Sequence, residues 1–332
     1  MKKLIAIILT LLLLCGCSQE EKQETPVPQS ELEVYFLDVG QADSIFIRVG
    51  DKNMLIDGGN VGDGKSIISF LHSKDVTKID TVVATHAHED HIGGLSTVID
   101  HFAVSTVYTP TDKYDSVAFN EFLDAADRQC GITLCEKGMS WQLNDAHFTV
   151  LWPENPESQH TNNTSIVLKM TFGKISFLFT GDVEKDAEAL FTSPEIKSDI
   201  LKVAHHGSDT STGYLFLRDA SPDIAVISCG TGNSYGHPHD ETLNILQQAD
   251  VTVLRTDLMG TILITSDGET YKIETEESLL PTPVLYYIGN KNSLKFHLPT
   301  CNSLPSQKNA VILSTRKDAI DKGYTPCQGC KP

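Results

Sequence analysis

A short run of histidines and acidic residues carries the clearest chemical signal in this sequence. His86, His88, Asp90 and His91 fall within six residues and directly follow an apolar segment at 81–84. Such a segment predicts a buried strand, so the run lies at the carboxyl end of that strand. Imidazole and carboxylate groups are ligands of divalent metals such as zinc and manganese. The run therefore predicts a site for two metal ions, with His86 and His88 on one ion and Asp90 and His91 on the other.

Two later segments offer the remaining ligands. Asp182 closes an apolar strand after Thr180-Gly181, and its two carboxylate oxygens can bridge two cations. The adjacent residues His205 and His206 follow another predicted strand. Because neighbouring residues on a strand point in opposite directions, only one of the two should bind the second ion. We expect His206 to be that ligand and His205 to lie nearer the substrate, while the sequence alone leaves the choice open.

Four further polar residues have either a supporting or a structural role. Asp57 either accepts a hydrogen bond from a ligand imidazole, which fixes the tautomer, or only stabilises a turn before two glycines. The same two alternatives apply to Asp38 and Asp43. His237 lies in a Gly-His-Pro loop, where it contacts the substrate phosphate, acts as an acid or has a structural role.

Short strands and helices alternate from residue 32 onward and must position these groups. Strands are predicted at 34–37, 44–49, 54–56, 81–84, 165–170, 175–180, 200–204, 224–228, 251–254 and 261–265, and helices at 66–71, 117–128, 211–218 and 241–248. Two rows of strands interleaved with helices predict an α/β fold, an αββα sandwich. Two prolines in the segment 276–283 predict a boundary before a small second domain.

The charge is unevenly distributed over the 332 residues. The formal net charge is -18, but residues 281–332 contain seven basic and two acidic residues, a net charge of +5, which leaves -23 for the rest. An acidic body of this kind does not bind polyanions by charge alone, although it offers carboxylates to cations. The basic C-terminal segment predicts nucleic acid or an anionic wall polymer as a partner, with a solvated basic face as the alternative.

The N-terminus has the features of an export signal. Lys2 and Lys3 precede an apolar stretch at 4–14 that is too short for a comfortable membrane span. The sequence Leu-Cys-Gly-Cys at 14–17 resembles the bacterial lipobox, which implies cleavage before Cys17 and lipidation of that residue. We therefore expect a signal peptide at 1–17, a flexible linker at 18–31 and a lipid anchor on the extracellular face of the bacterial cytoplasmic membrane. A retained signal anchor or plain secretion is the alternative.

Four residues near the C-terminus have the spacing of a closed site for one structural zinc ion. They are His297, Cys301, Cys327 and Cys330. The segment 284–332 resembles the metal-binding domain of the Ada DNA-repair protein, with His297 in place of the first cysteine. Imidazole cannot accept a methyl group as that cysteine does, so methyl transfer is not implied. In an oxidising exterior, a disulfide within this cluster or between Cys130 and Cys135 is an alternative.

Residues 32–275 carry motifs that resemble the metallo-β-lactamase-fold hydrolases, and in particular the hydrolase domain of ComEC-type competence proteins. The motifs occur in family order at 36–44, 55–59, 86–91, 162–163, 180–182, 205–208 and 235–238. Lactamase-fold hydrolases usually supply a further histidine to the first ion, whereas the competence-type resemblance places Asn163 in that region. The first ion would then have His86, His88 and Asp182 as protein ligands, with Asn163 beside them, which favours a weakly held metal such as manganese.

Together, these features predict a surface-tethered, two-metal hydrolase of phosphodiesters, with DNA as the expected substrate and competence-type nuclease activity. Asp90 and Asp182 would orient the nucleophile, and His205 and His237 would act near the substrate. Two alternatives remain open. One is a phosphodiesterase for teichoic-acid or phosphocholine substrates, and the other is a non-catalytic lipoprotein that binds DNA or the cell wall.

Overall fold

The computed structural model describes residues 28–156, 160–276, 287–298, 301, 303–313 and 316–330. The chain divides into two units, Met1–Ile273 and Glu274–Pro332. The predicted signal peptide, Cys17 and most of the predicted linker lie outside the described residues, as does most of the predicted boundary at 276–283. Within the described part of the chain, no helix combines the length and the apolar character needed to cross a membrane.

An eight-stranded mixed sheet forms one half of the first unit. Its strands are β1 (Leu32–Phe36), β2 (Ile45–Val49), β3 (Lys52–Ile56), β4 (Lys78–Val83), β5 (Ala103–Thr109), β6 (Thr133–Leu134), β14 (Ile262–Ser266) and β15 (Tyr271–Thr275). They lie in the order β15-β14-β1-β2-β3-β4-β5-β6. Because β3, β4 and β5 pair in parallel, their carboxyl ends meet at one edge of the sheet.

A seven-stranded sheet forms the other half. Its strands are β7 (Ser140–Leu143), β8 (Ala146–Trp152), β9 (Val167–Phe172), β10 (Ile175–Phe179), β11 (Ile200–Lys202), β12 (Ile224–Ile227) and β13 (Thr252–Arg255). They lie in the order β13-β12-β11-β10-β9-β8-β7. The four strands from β10 to β13 pair in parallel, so their carboxyl ends also meet at one edge.

Helices pack against both sheets. They are α1 (Gly64–Ser73), α2 (Glu89–Ile92), α3 (Leu95–His101), α4 (Val117–Gln129), α5 (Lys185–Phe191), α6 (Tyr214–Ala220), α7 (Asp240–Gln248) and α8 (Thr256–Met259). The apolar spacing of α4 buries Phe119 and Phe122, and the Ser116 hydroxyl caps its start by accepting the Phe119 N–H at 3.1 Å. Phe122 joins a core cluster with the first sheet, whereas Phe216 of α6 joins one with the second sheet.

A third buried cluster fills the space between the two sheets. Phe36 of β1 and Phe179 of β10 face each other there, with ring centroids 6.3 Å apart. The layer order is therefore helices, sheet, sheet and helices, which confirms the predicted αββα sandwich.

Among the strands of the first unit, the sequence-based prediction missed β5, β6, the β7–β8 hairpin and β15. β7 is an edge strand with exposed Ser140 and Gln142, so it has no apolar run to reveal it. The predicted strand at 200–204 is shorter than expected, because a 3₁₀ turn (Ala204–Gly207) follows β11 directly. Cys130 is exposed, Cys135 is buried, and both are free thiols, so the disulfide considered for this pair is not formed.

In the part of the second unit that the structure describes, a four-stranded sheet is accompanied by one α-helix. The strands are β16 (Tyr287–Asn290), β17 (Lys295–His297), β18 (Ala310–Leu313) and β19 (Thr325–Pro326), in the order β18-β16-β17-β19, and the helix is α9 (Arg316–Asp321). Among its described residues, the buried apolar cluster contains Phe296, Leu313 and Ala319. A core of this size offers little hydrophobic stabilisation, so a structural metal would contribute much of the stability of this unit.

Candidate metal centre

Four predicted ligands converge at the edge where strands of both sheets end. They are Asp90, His91, Asp182 and His206, whose ligand atoms all lie within 4.8 Å of one another. Nε2 of His91 lies 3.2 Å from Oδ2 of Asp182, and Nε2 of His206 lies 3.2 Å from Oδ2 of Asp90. The structure thus brings together the ligands predicted for the second ion.

The parallel strand ends explain this convergence. Asp182 follows β10 and His206 follows β11, and these two strands pair in parallel. Asp90 and His91 lie in α2, a single helical turn that begins a few residues after β4. Ligands far apart in sequence are therefore presented at one edge of the sandwich.

The electrostatics of this cluster favour a bound cation. Nε2 of His91 and Oδ1 of Asp182 are buried without a hydrogen-bond partner among the described residues. Burial lowers the pKa of His91, but Asp182 and Asp57 outweigh burial and raise this pKa well above its usual value. Burial also lowers the pKa of His206, and Asp182 and Asp43 raise it to about 10. The cluster attracts positive charge, and its imidazole and carboxylate donors fit a divalent ion.

The two carboxylates of the cluster are ionised at neutral pH. Burial raises the pKa of Asp90, but His91 and His206 lower it to about 2. Burial likewise raises the pKa of Asp182, and the same two imidazoles hold it well below its usual value. Both side chains are therefore anionic ligands.

His86 and His88 form a separate pair of imidazoles. Nε2 of His86 lies 3.1 Å from Nδ1 of His88. Burial, together with His91, holds the pKa of His86 well below its usual value, so this imidazole is neutral and can offer a lone pair to a cation. Among the described residues, the group of close ligand atoms does not extend from this pair to Asp182. The first predicted site is thus less complete than the second.

Asp57 orients the ligand imidazole of His91. Its Oδ2 accepts the Nδ1–H of His91 at 2.8 Å, so Nε2 is the ring atom that faces Asp182 and could bind a cation. Thr85 holds the carboxylate from the other side, with its backbone N–H and its hydroxyl donating at 2.8 and 2.7 Å. Asp57 lies directly after β3, so the strand end positions it beneath the cluster.

A buried lysine that sequence reasoning missed supports the same centre. Nζ of Lys202 lies 2.5 Å from Oδ2 of Asp43 and donates to the carbonyl of Val203 at 3.0 Å. Oδ1 of Asp43 lies 3.5 Å from Nδ1 of His206, which donates to the carbonyl of Ser228 at 3.0 Å. Lys202 ends an otherwise apolar strand shortly before the two histidines. A lysine at that position is the feature of the sequence that could have revealed its role.

The adjacent histidines lie in a turn and not on a strand. The alternation of side chains along a strand, from which we predicted that only one of the two is a ligand, therefore does not apply to them. β11 ends at Lys202, and His205 and His206 both have a left-handed backbone with φ of 52°. Gly207 continues the turn at φ 83°, where a Cβ atom would lie 2.5 Å from Cβ of Pro238. The turn sends the two imidazoles in different directions, and only His206 joins the four-residue cluster.

His205 lies at the wall of a cavity of about 670 Å³ above the cluster. Its Nε2 lies 3.8 Å from Oδ2 of Asp182, and its Nδ1 lies 3.2 Å from the Thr210 hydroxyl. His237 lines the same cavity. Burial, with His206 and His205, lowers the pKa of His237 to about 4, so its imidazole is neutral at pH 7.

The two asparagines take different positions. Oδ1 of Asn163 accepts the backbone N–H of Glu184 at 2.8 Å, so Asn163 holds the segment after Asp182 rather than a ligand side chain. Asn162 instead lines the cavity. Its Nδ2 donates to Glu184 at 3.1 Å, and its Oδ1 is buried without a partner among the described residues.

Comparison with known proteins agrees with this geometry. A model of the metallo-beta-lactamase superfamily matches residues 37–231. The chain belongs to the metallo-beta-lactamase superfamily. Membership implies divalent metals at the cluster of strand ends. The metallo-beta-lactamase-fold protein YhfI of Bacillus subtilis has a TM-score of 0.50 at 12% identity, covering 72% of this chain and 100% of that chain, and supports the fold alone.

Two curated relatives are similar in sequence to this superfamily member, and one of them has a competence-related name. The chain is 37% identical over 260 residues to ComE operon protein 3 of Bacillus subtilis, covering 71% of this chain and 33% of that protein. It is 30% identical over 240 residues to competence protein ComA of Neisseria gonorrhoeae, covering 71% of this chain and 32% of that protein. The chain therefore spans about a third of the length of these relatives.

The second unit holds a separate group of potential zinc ligands. His297, Cys301, Cys327 and Cys330 place their ligand atoms within 4.8 Å of one another. Backbone N–H groups of Cys330 and Gly329 hold the pKa of Cys327 below its usual range, which favours the thiolate that binds zinc. A model of the metal binding domain of Ada matches residues 284–332, which confirms the resemblance noted in the sequence.

Proposed function

We propose that this protein is a metal-dependent phosphodiester hydrolase that acts on DNA. The observation that carries the proposal is the cluster of Asp90, His91, Asp182 and His206 at the cavity. These four would hold one divalent ion, zinc or manganese, and His86 and His88 would hold a second with Asp182. Two such ions supply a nucleophile derived from water and stabilise negative charge on a phosphoryl group. The competence-related name of one relative supports DNA as the substrate.

His237 would donate a hydrogen bond to a phosphoryl oxygen. The Gln41 amide is fixed because its Oε1 accepts the Gly230 N–H at 3.1 Å, so its Nε2 donates to Nδ1 of His237 at 3.2 Å. Nδ1 is then the acceptor, and Nε2 of the neutral imidazole carries the proton. His205, held at Nδ1 by Thr210, would give a proton to the leaving oxygen through Nε2.

Anchoring is part of the same proposal. Lipidation of Cys17 after cleavage of a signal peptide would tether the hydrolase outside the bacterial cytoplasmic membrane. The basic zinc unit would then bring a polyanion such as DNA to an otherwise acidic protein. Labelling with a radioactive fatty acid, with Cys17→Ala as the control, tests the anchor directly.

A second candidate function is hydrolysis of a phosphocholine ester. Tyr114, Tyr235, Glu89 and Glu121 line the cavity, and among the described residues that line it none is Lys or Arg. Aromatic and acidic groups of this kind can bind a quaternary ammonium group. This candidate explains the acidity of the cavity but gives no role to the basic second unit.

One substrate panel separates these functions. The chain from residue 18 onward is loaded with Mn²⁺ or Zn²⁺ and incubated with single-stranded DNA, double-stranded DNA and a phosphocholine polymer, with Asp182→Asn as the inactive control. We expect cleavage of DNA that is lost in Asp182→Asn. Release of phosphocholine with DNA left intact would select the second candidate, and no hydrolysis of any substrate would refute both.

A further inference from the structure

Three aromatic rings form a ladder from the protein surface to the metal cluster. The ring of Tyr235 stacks on His237 with centroids 5.6 Å apart and an interplanar angle of 24°. His237 in turn stacks on His206 at 6.3 Å and 25°. Tyr235 is 68% exposed, so the outermost ring of the ladder has access to a ligand. A planar group placed on Tyr235 would continue the ladder.

The loop that carries Tyr235 is held by its own hydrogen bonds. Nδ2 of Asn233 donates to the carbonyls of Gly230 and His237 at 2.9 and 2.6 Å, and its Oδ1 accepts the His237 N–H at 3.0 Å. Nε2 of His239 lies 3.1 Å from the Tyr235 carbonyl. The loop is therefore preorganised, and an exposed ring on a preorganised loop loses little entropy on binding.

The charges around the cavity exclude one way of binding nucleic acid. Glu89 and Glu121 line it together with Asp90 and Asp182, and no Lys or Arg lines it in the part of the chain that the structure describes. Duplex DNA is bound mainly through cationic contacts to successive phosphates, which these residues do not offer. A flexible single strand can instead place one phosphate at the metals and bind through its bases, because every base has a face that stacks on an aromatic ring.

We propose that Tyr235 is a stacking platform for an unpaired nucleobase beside the scissile phosphate. The substrate class is then single-stranded DNA or a frayed end rather than intact duplex. This inference rests on the proposed phosphodiesterase function and specifies its substrate. The parallel stack of Tyr235 and His237 suits a planar base, which can extend the stack on the face of one ring.

Two phosphodiesters test the platform in the Mn²⁺-loaded protein. Thymidine 5′-(p-nitrophenyl) phosphate carries a base, whereas methyl p-nitrophenyl phosphate does not. We expect Tyr235→Ala to lower kcat/KM for the thymidine ester by roughly 5- to 150-fold more than for the methyl ester, the range typical of one stacked base. Tyr235→Phe should retain the wild-type preference because it keeps the ring. Tyr214→Ala is the matched control, because Tyr214 is also 68% exposed but does not line the cavity.

A binding assay keeps the inference testable apart from catalysis. Fluorescence anisotropy compares a labelled thymidine oligonucleotide with an abasic one of the same length on Asp182→Asn, with and without Tyr235→Ala. Tighter binding of the base-containing strand that disappears with Tyr235→Ala supports the platform. Equal binding of the two strands, or equal loss of both esters in Tyr235→Ala, would overturn it. If wild type hydrolyses neither these esters nor DNA, the proposed function fails, and the anisotropy comparison alone decides on the platform.

Discussion

The ammonium group of Lys202 lies 2.5 Å from Oδ2 of Asp43, and both side chains are almost completely buried behind the metal cluster. Burial raises the pKa of Asp43, but Lys202 and His206 outweigh burial and hold this pKa below its usual range. The lysine thus keeps a buried carboxylate ionised next to a ligand imidazole. Each member of the pair depends on the other for its charge to be tolerated.

Removing one partner of this pair should destabilise the protein strongly. Lys202→Met leaves Asp43 buried without a counter-ion, and we expect the free energy of unfolding to fall by about 3–5 kcal/mol. The double variant Lys202→Met/Asp43→Asn should recover most of this loss, because neither charge remains. Urea unfolding of the metal-free proteins measures both effects.

A half-exposed pair provides the control for Lys202. Nζ of Lys52 lies 3.3 Å from Oδ1 of Asp80, and 34% of the lysine side chain is accessible. Lys52→Met should cost at most about 1 kcal/mol, since solvent screens the interaction. Equal losses for Lys202→Met and Lys52→Met would contradict a special role for the buried pair.

A metal-binding measurement should distinguish the roles of the two adjacent histidines. His206→Ala removes a member of the four-residue cluster, so the hydrolase unit should bind about one equivalent of metal fewer than wild type. His205→Ala should retain the metal and lower kcat by roughly 10²- to 10⁴-fold, as for loss of an acid–base group. Elemental analysis by mass spectrometry gives the metal content. His147→Ala, at an exposed position of β8, should change neither quantity, and metal loss in His205→Ala would reverse the assignment.

A buried glutamate away from the cluster should make stability depend on pH. Burial raises the pKa of Glu188 to about 7, against a usual value of 4.5, although the backbone N–H groups of Thr212 and Gly213 oppose this shift. A raised pKa contributes stability that is present below pH 4.5 and is lost as pH rises through 7. Relative to Glu188→Gln, wild type should therefore lose about 3 kcal/mol of unfolding free energy across this window.

Urea unfolding of both proteins between pH 4.5 and 7 tests this window. Other titrating groups affect wild type and Glu188→Gln alike, so the difference between the two isolates Glu188. Glu241→Gln, an exposed position of α7, serves as the control. A pH-independent difference between wild type and Glu188→Gln would show that the carboxyl group does not titrate there.

The second unit should depend on zinc for its fold. Cys330→Ser removes one of four ligands, and we expect one zinc equivalent fewer per chain together with faster amide exchange in β16 to β19. The strands of the first unit should keep their protection, because they have core clusters of their own. Cys130→Ser is the matched control, since this exposed thiol belongs to no ligand group among the described residues. Unchanged zinc content in Cys330→Ser would count against the site.

The ligands that could be predicted from the sequence are those whose neighbours in the chain form a recognisable pattern. His91 and Asp182 each follow an apolar strand, so strand ends and metal-binding side chains could be recognised together. Lys202 and Gln41 could not be recognised in this way. Their partners lie 159 and 196 positions away, and only the packing of the two sheets brings them together.

The sequence-based predictions were wrong at positions where the backbone departs from the two-residue alternation of a regular strand. His205 and His206 look like strand residues after an apolar run, but their left-handed backbone rotates the side chains independently of strand alternation. β7 was overlooked because its alternation of polar and apolar side chains extends over only four residues, too few to establish a period of two.

The position of the metal cluster at the meeting of two sheets has a mechanical consequence. Asp90 follows a strand of one sheet and His206 a strand of the other, 116 positions further along the chain. An ion held by both would act as a removable cross-link that clamps the halves of the sandwich together. Binding at a free concentration one hundred times Kd would add about 2.7 kcal/mol to the unfolding free energy. The concentration of metal around the protein would then determine both its resistance to proteolysis and its rate of catalysis.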